Sequence, residues 1–182
     1  MNIQPDISAD NNVHWNSELA GDAGSLQPWL LESGLLTARV QRHCSNSFRL
    51  QVLTTDDAGA GWLKQHADWA PCAGDRREIV MWCDDIPGLY AETVIPAATA
   101  AAQPWLRTLG TQPLGERLQL MQDVSRGNFE FARIPCNHLV PDSWCANGVS
   151  ELWARRSSFR FASGDELWVI EVFLKAIHGD SN

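Results

Sequence analysis

Residues 151–174 read ELWARRSSFRFASGDELWVIEVFL. Ser163-Gly164-Asp165 is a turn by composition, and the apolar residues on either side of it recur with the period of a strand, so the stretch predicts a β-hairpin with strands over Glu151–Ala162 and Glu166–Leu174. In the second strand Trp168, Ile170, Val172 and Leu174 fill one face, while Leu167, Val169 and Phe173 fill the other. A strand that is apolar on both faces is buried on both. Its exception is Glu171, which alternation places between Val169 and Phe173. A carboxylate there is paired, protonated or used. Burial raises a carboxyl pKa toward the range a general acid needs, whereas an arginine on a neighbouring strand would make it half of a structural ion pair. In the first strand Arg155 and Arg156 point to opposite faces, so at most one of them looks into a given pocket. Trp153, Phe159 and Phe161 share the Arg155 face, which makes it the core side and gives Arg155 a need for a carboxylate.

Outward from this hairpin, Ser47–Thr54 and Arg76–Cys83 alternate as strands, and a turn over residues 84–88 leads into a further strand, Leu89–Pro96. Ser25 is placed to cap a short helix, LQPWLLES, that Gly34 ends in a left-handed conformation, and Leu36 to His43 suits a second helix or the start of a flap. The alanine-rich run from Ala97 to Leu109 reads as helix interrupted at Pro104, and Pro113 can start another. Asn128–Arg133 is short and alternating, and residues 134–150, with two prolines and little periodicity, read as a surface loop. Hairpins outnumber strand–helix–strand units, so the class is α+β with a single, mainly antiparallel β-sheet. Residues 1–24 are polar and aperiodic and are expected to form a loose N-terminal arm ahead of one domain over 25–182.

Composition narrows the function. The 182 residues carry a net charge of −8 with no basic stripe, which argues against a nucleic-acid partner and means that an anionic substrate needs a local cluster of arginines. No stretch approaches the roughly 20 apolar residues of a membrane helix, and the first residues do not resemble a secretory signal. Cys44, Cys72, Cys83, Cys136 and Cys145 form an odd, scattered set without a C-x-x-C pair and read as reduced thiols of a cytoplasmic protein. His138, between Cys136 and Cys145, offers too few ligands for zinc. G-x-G-x-x-G, P-loop and G-x-S-x-G motifs are missing. Arg77 shares a strand face with Ile79, Met81 and Cys83; it is either a bidentate donor for a carboxylate or a solvated strand end.

The segments WLLESGLLTARV, RREIVMWC, TVIPAAT, LGTQPLGERL, FEFARI, ELWARRSSFRF and VIEVFLKA, in this order across residues 25–175, resemble those of bacterial chorismate lyases. The resemblance implies an antiparallel sheet with helical flaps over an internal ligand pocket, a monomer, and no metal or cofactor. It also implies conversion of chorismate to pyruvate and 4-hydroxybenzoate, the first committed step of ubiquinone synthesis. By matching motif, Arg77 resembles the arginine that binds the ring carboxylate, with main-chain N–H groups corresponding to Leu36 and Leu114, and Leu36 stands where other members have methionine. Glu171 resembles the glutamate near the oxygen that becomes the phenol, where it donates a proton or only positions the group. One position departs: Glu92 precedes T-V-I-P where family members carry an arginine, and a carboxylate facing the second carboxylate of chorismate would repel it. That departure leaves, as the alternative, an impaired or non-enzymatic module that binds 4-hydroxybenzoate. Effector-binding domains of some transcription regulators share the fold type, but an arm of residues 1–24 is too short for their helix-turn-helix.

Overall fold

The computed structural model describes residues 13–53, 74–136 and 142–178. Seven strands form one antiparallel sheet in the order β1-β2-β3-β7-β6-β4: β1 (Phe48–Val52), β2 (Asp75–Cys83), β3 (Ile86–Ile95), β4 (Val124–Arg126), β5 (Glu130–Pro135), β6 (Glu151–Phe161) and β7 (Glu166–Phe173). β6 is long enough to take two partners along one edge. Its Phe159–Phe161 end pairs β4 and its Glu151–Arg156 end pairs β5. The class is therefore the one the hairpins imply.

Both hairpins owe their turns to residues that tolerate positive φ. Gly164 sits at φ 88° between β6 and β7. Between β2 and β3 the turn is only Asp84-Asp85, at φ 49° and 64°, which is the pairing of left-handed residues that matches strand twist in a two-residue hairpin. Residues 86–88, expected in the turn, belong to β3, and the register shift between Met81 and Trp82 absorbs the difference. Asp84 has a second task. Its carboxylate accepts the backbone N–H groups of Ser45, Asn46 and Ser47, which hold it below the usual carboxylate pKa.

Helices α1 (Gln27–Leu30), α2 (Leu36–His43), α3 (Ala97–Ala102) and α4 (Leu114–Gln119) cover one sheet face, and α5 (Lys175–His178) follows β7. α2 spans the residues expected of it. α1 departs from expectation: a 3₁₀ turn over Gly24–Leu26 precedes it, no side chain caps it, and Gly34 is not left-handed but donates its backbone N–H to the Glu32 carboxylate. The alanine-rich run breaks at Gln103 into α3 and a 3₁₀ turn, Pro104–Thr108, because proline cannot continue the helix. β5 runs on to Pro135, so the loop expected from residue 134 begins later, and a 3₁₀ turn at Asp142–Trp144 interrupts it. At the other end Asn16 pairs through both backbone bonds with Phe131, and Val13 and Trp15 pack on the core, so the chain meets the sheet well before Ser25.

Strand alternation sorts the interior into three clusters. Val80, Tyr90, Val94, Leu152, Ala154, Ile170 and Val172 pack on the face away from the helices. On the helix-covered face, one cluster gathers Leu30, Leu36, Val40, Ile79, Met81, Leu89 and Phe173 beneath α1 and α2, and another gathers Ile95, Leu106, Leu114, Leu118, Leu167 and Val169 beneath α3 and α4. The polar residues of interest lie at the seam between these two.

The cysteines differ from expectation. Cys44, at the C-terminal end of α2, and Cys83, the last residue of β2, form a disulfide with 4.8 Å between Cα atoms. Sequence spacing hides the pair, because only the return of β1 beside β2 brings them together. Cys136 and Cys145 are buried free thiols, while Cys72 and His138 fall outside the described residues.

Candidate active site

A small cavity of about 60 Å³ opens at the seam, lined by apolar side chains from both clusters and by a few polar groups: Arg77, Thr93, Arg126 and Glu171. Leu36 and Leu114 also line it. The residues singled out in the sequence at 36, 77, 114 and 171 thus share one cavity, and Glu92 does not line it.

Arg77 comes from β2, whose alternation turns Arg77, Ile79 and Met81 toward the cavity. One of its terminal nitrogens, Nη2, donates to the carbonyls of Gly110 and Gln112 at 2.9 and 3.0 Å, which aims the guanidinium. Its Nε is buried without a hydrogen-bond partner, and among the described residues no carboxylate pairs with it. Burial without a counter-charge drives its pKa down to about 10. A buried cation left in that state suits an anion that arrives from outside.

Leu36 and Leu114 are the first residues of α2 and α4. Their backbone N–H groups therefore belong to the first turns, whose donors have no partner inside the helix.

Glu171 lies on β7, two strands across from Arg77 and offset by two residues along the register that runs Arg77, Thr93, Val169. Strand spacings put their Cα atoms about 12 Å apart, a distance on the scale of one substituted six-membered ring with its polar groups. Oε2 of Glu171 accepts Nε of Arg155 at 2.6 Å and Nη2 of Arg126 at 3.1 Å. Burial pushes the carboxyl pKa up, but the two guanidiniums outweigh it and hold the group below its ordinary value. Of the two readings open in the sequence, the ion pair with a neighbouring strand is present, and it favours the charged form of the carboxyl.

Arg155 stands directly opposite Glu171 and is fully buried. Its Nη1 donates to the carbonyls of Trp29, Leu30 and Glu32, and the guanidinium lies 4.3 Å from the ring centroid of Phe129. It thereby stitches the open end of α1 to the sheet and fixes Glu171. Arg156 takes the opposite face, as alternation requires, where it pairs Glu130 and lies over Trp15.

Arg126 is the residue that the sequence did not disclose. It sits on β4, where three residues are too few to show a period, and its Nε donates to Ser157 Oγ at 2.9 Å. Its guanidinium lies 4.2 and 4.9 Å from the ring centroids of Phe129 and Phe159. Burial lowers its pKa, the Glu171 carboxylate counters that, and Arg155 adds to it.

Glu92 corrects an expectation. In β3 the cavity receives Leu89, Ala91 and Thr93, so Glu92 faces the other side of the sheet, fully buried, with Arg76 Nη1 at 2.5 Å and the Tyr90 hydroxyl at 3.5 Å. The expected repulsion of a substrate carboxylate requires Glu92 in the cavity. Glu92 is instead paired with the guanidinium of Arg76.

The family model for chorismate lyase matches residues 9–180. A probable chorismate pyruvate-lyase of Dechloromonas aromatica (strain RCB) is 34% identical over 175 residues, covering 90% of this chain and 95% of the relative. That of Ralstonia nicotianae (strain ATCC BAA-1114 / GMI1000) is 39% identical over 163 residues, with 82% and 80% covered. One from Shewanella frigidimarina (strain NCIMB 400) is 32% identical over 190 residues, with 91% and 90% covered. On this extent of match, joined to a sheet and cavity of the implied kind, the chain belongs to the chorismate lyase family.

Proposed function

We propose that this chain converts chorismate to 4-hydroxybenzoate and pyruvate, with Arg77 and the N–H groups of Leu36 and Leu114 holding the ring carboxylate and Glu171 facing the 4-hydroxyl. The observation that supports it most directly is the half-buried guanidinium of Arg77, whose Nε is buried in a cavity wall without a carboxylate partner among the described residues, across from an ionised glutamate.

The chemistry asks little more of the protein. The C4–H bond breaks, its electron pair enters the ring as the C3–O bond breaks, and enolpyruvate departs and takes up a proton to become pyruvate. Aromatisation drives the step. Arg77 at one end and Glu171 at the other fix the ring axis, which turns an encounter into an oriented, unimolecular event. Ionised Glu171 accepts the hydrogen bond of the 4-hydroxyl, and so positions C4 rather than protonating the leaving oxygen. Fixed donors in a cavity with apolar walls act at low dielectric, where they count for more than in water.

In this reading the enzyme works as a cytoplasmic monomer without metal or cofactor and supplies 4-hydroxybenzoate for ubiquinone synthesis. The Cys44–Cys83 bridge bears on the compartment, since disulfides persist mainly in oxidising surroundings, and thiol titration of freshly isolated protein reads its state. The activity is tested by mixing the purified chain with chorismate and following pyruvate and 4-hydroxybenzoate together. Equimolar release of both is expected, and release of neither ends the enzymatic reading.

A further inference from the structure

This cavity is not the whole hollow. A cleft of about 250 Å³ adjoins it, and the two share Gly34, Leu35, Gly115, Leu118, Arg126 and Phe159. Arg126 is the charged side chain at that junction. Resting on the functional reading above, we propose that Arg126 binds the second carboxylate of chorismate, on the enolpyruvyl group, and that this group lies in the outer cleft while the ring lies in the inner cavity.

Three observations lead there. The first is shape: a ring held by its C1 carboxylate on Arg77 and its C4 hydroxyl on Glu171 sends its C3 substituent sideways, off the Arg77–Glu171 axis, and the inner cavity of about 60 Å³ has little space to spare for it. The second is charge. Arg77 and Arg126 are the two cations among the described residues that line the inner cavity and Glu171 is its one carboxylate, itself held by Arg155 behind it, so positive charge is in excess, as a ligand with a second carboxylate requires and the monoanionic product does not. The third is placement: Nε and one Nη of Arg126 are committed to Ser157 and Glu171, while two aromatic rings hold the guanidinium plane at the junction. The remaining Nη1 has no hydrogen-bond partner among the described residues. A rigid guanidinium with a donor to spare is suited to a carboxylate.

The inference has a signature that a merely structural arginine lacks, because the product has lost the second carboxylate. Arg126→Gln, compared with the unmodified chain, is expected to lower kcat/KM for pyruvate release by about a hundredfold, while the 4-hydroxybenzoate dissociation constant, read by tryptophan fluorescence, changes by less than about threefold. Arg126→Lys should restore part of the loss. A non-reacting probe, 4-hydroxy-3-(carboxymethoxy)benzoate, carries a second carboxylate on an ether at the same ring position. Its affinity should fall with that of chorismate. Equal losses for 4-hydroxybenzoate and the dianions would show that Arg126 acts only through Glu171, and no loss for either dianion would show that it touches neither; both results overturn the proposal. Should the unmodified chain release no pyruvate, chorismate becomes a stable ligand, and the same comparison of dissociation constants decides the subsite separately from the activity.

Discussion

The two faces of the sheet each set an arginine against a glutamate, yet among the described residues only one of them holds a candidate site. On the helix-covered face Arg155 and Arg126 converge on Glu171, Arg77 lines the same cavity with no carboxylate partner among the described residues, and positive charge is in surplus. On the other face Arg76 meets Glu92, Glu78 stands directly across from Glu92, and the Tyr90 hydroxyl donates to Glu78 at 3.0 Å. Burial raises the Tyr90 pKa, and the two carboxylates raise it further, so the phenol remains a neutral donor. One face is built with its donors in excess of its acceptors, the other with its carboxylates matched to donors already in place. A surplus of aimed donors is what recognises a carboxylate ligand; carboxylates whose donors are already in place are an element of the core.

The sharpest way to break this comparison is Glu92→Arg. If Glu92 faced the cavity, the change would create a substrate anchor and raise turnover. From the far face it buries a second guanidinium beside Arg76, so we expect a loss of at least about 3–5 kcal/mol in chemical denaturation and no gain in pyruvate release. Glu171→Gln tests the near face. It leaves Arg155 buried with no carboxylate, which should cost about 3 kcal/mol of stability and also abolish the fixed contact to the 4-hydroxyl. The pH dependence has a definite sign. Because the folded pKa of Glu171 is depressed, its ion pairs stabilise fully above the ordinary value of 4.5 and are lost as pH falls further, so the Tm of the unmodified chain should drop below pH 4.5 more steeply than that of Glu171→Gln.

Two smaller effects sharpen the picture. Reduction of Cys44–Cys83, which closes a separation of 39 residues, should lower stability by about 2–4 kcal/mol, measured against Cys44→Ser as the reference that reduction leaves unchanged. Benzoate binding, followed by tryptophan fluorescence, should hold steady through neutral pH and weaken as pH rises through about 10, where unliganded Arg77 loses its proton. Benzoate is the right probe because it has no phenol to titrate in that range.

Much of this was legible in the sequence, for reasons that can be named. The hairpin at 163–165 declares itself because period-2 apolar runs flank a glycine that the turn needs at positive φ. The same alternation puts Glu171 on the Arg155 face, and the pair stands opposed in the register. Alternation also holds the answer for Glu92, one residue out of phase with Ala91 and Thr93. The sequence does not say which face carries the cavity, since β3 is buried on both, and a family position without its arginine drew attention to the side away from it. Arg126 was illegible because three residues of β4 show no period and its role depends on β6 beside it. The disulfide was hidden for the same reason. Its partners lie in neighbouring elements, and only the pairing of β1 with β2 sets their distance.

The bond between Cys44 and Cys83 also gives the cover of the site a direction. Together with the Asp84 carboxylate, which holds the next three backbone N–H groups, it rivets the C-terminal end of α2 to the end of β2. The N-terminal end of α2, at Leu35 and Leu36, borders the hollow and has no such fastening among the described residues. α2 is therefore held unequally at its two ends, by a covalent bond at Cys44 and, at the other, by the Glu32 carbonyl on Arg155, which leaves Gly34 and Leu35 as the short span over the junction where Arg126 stands.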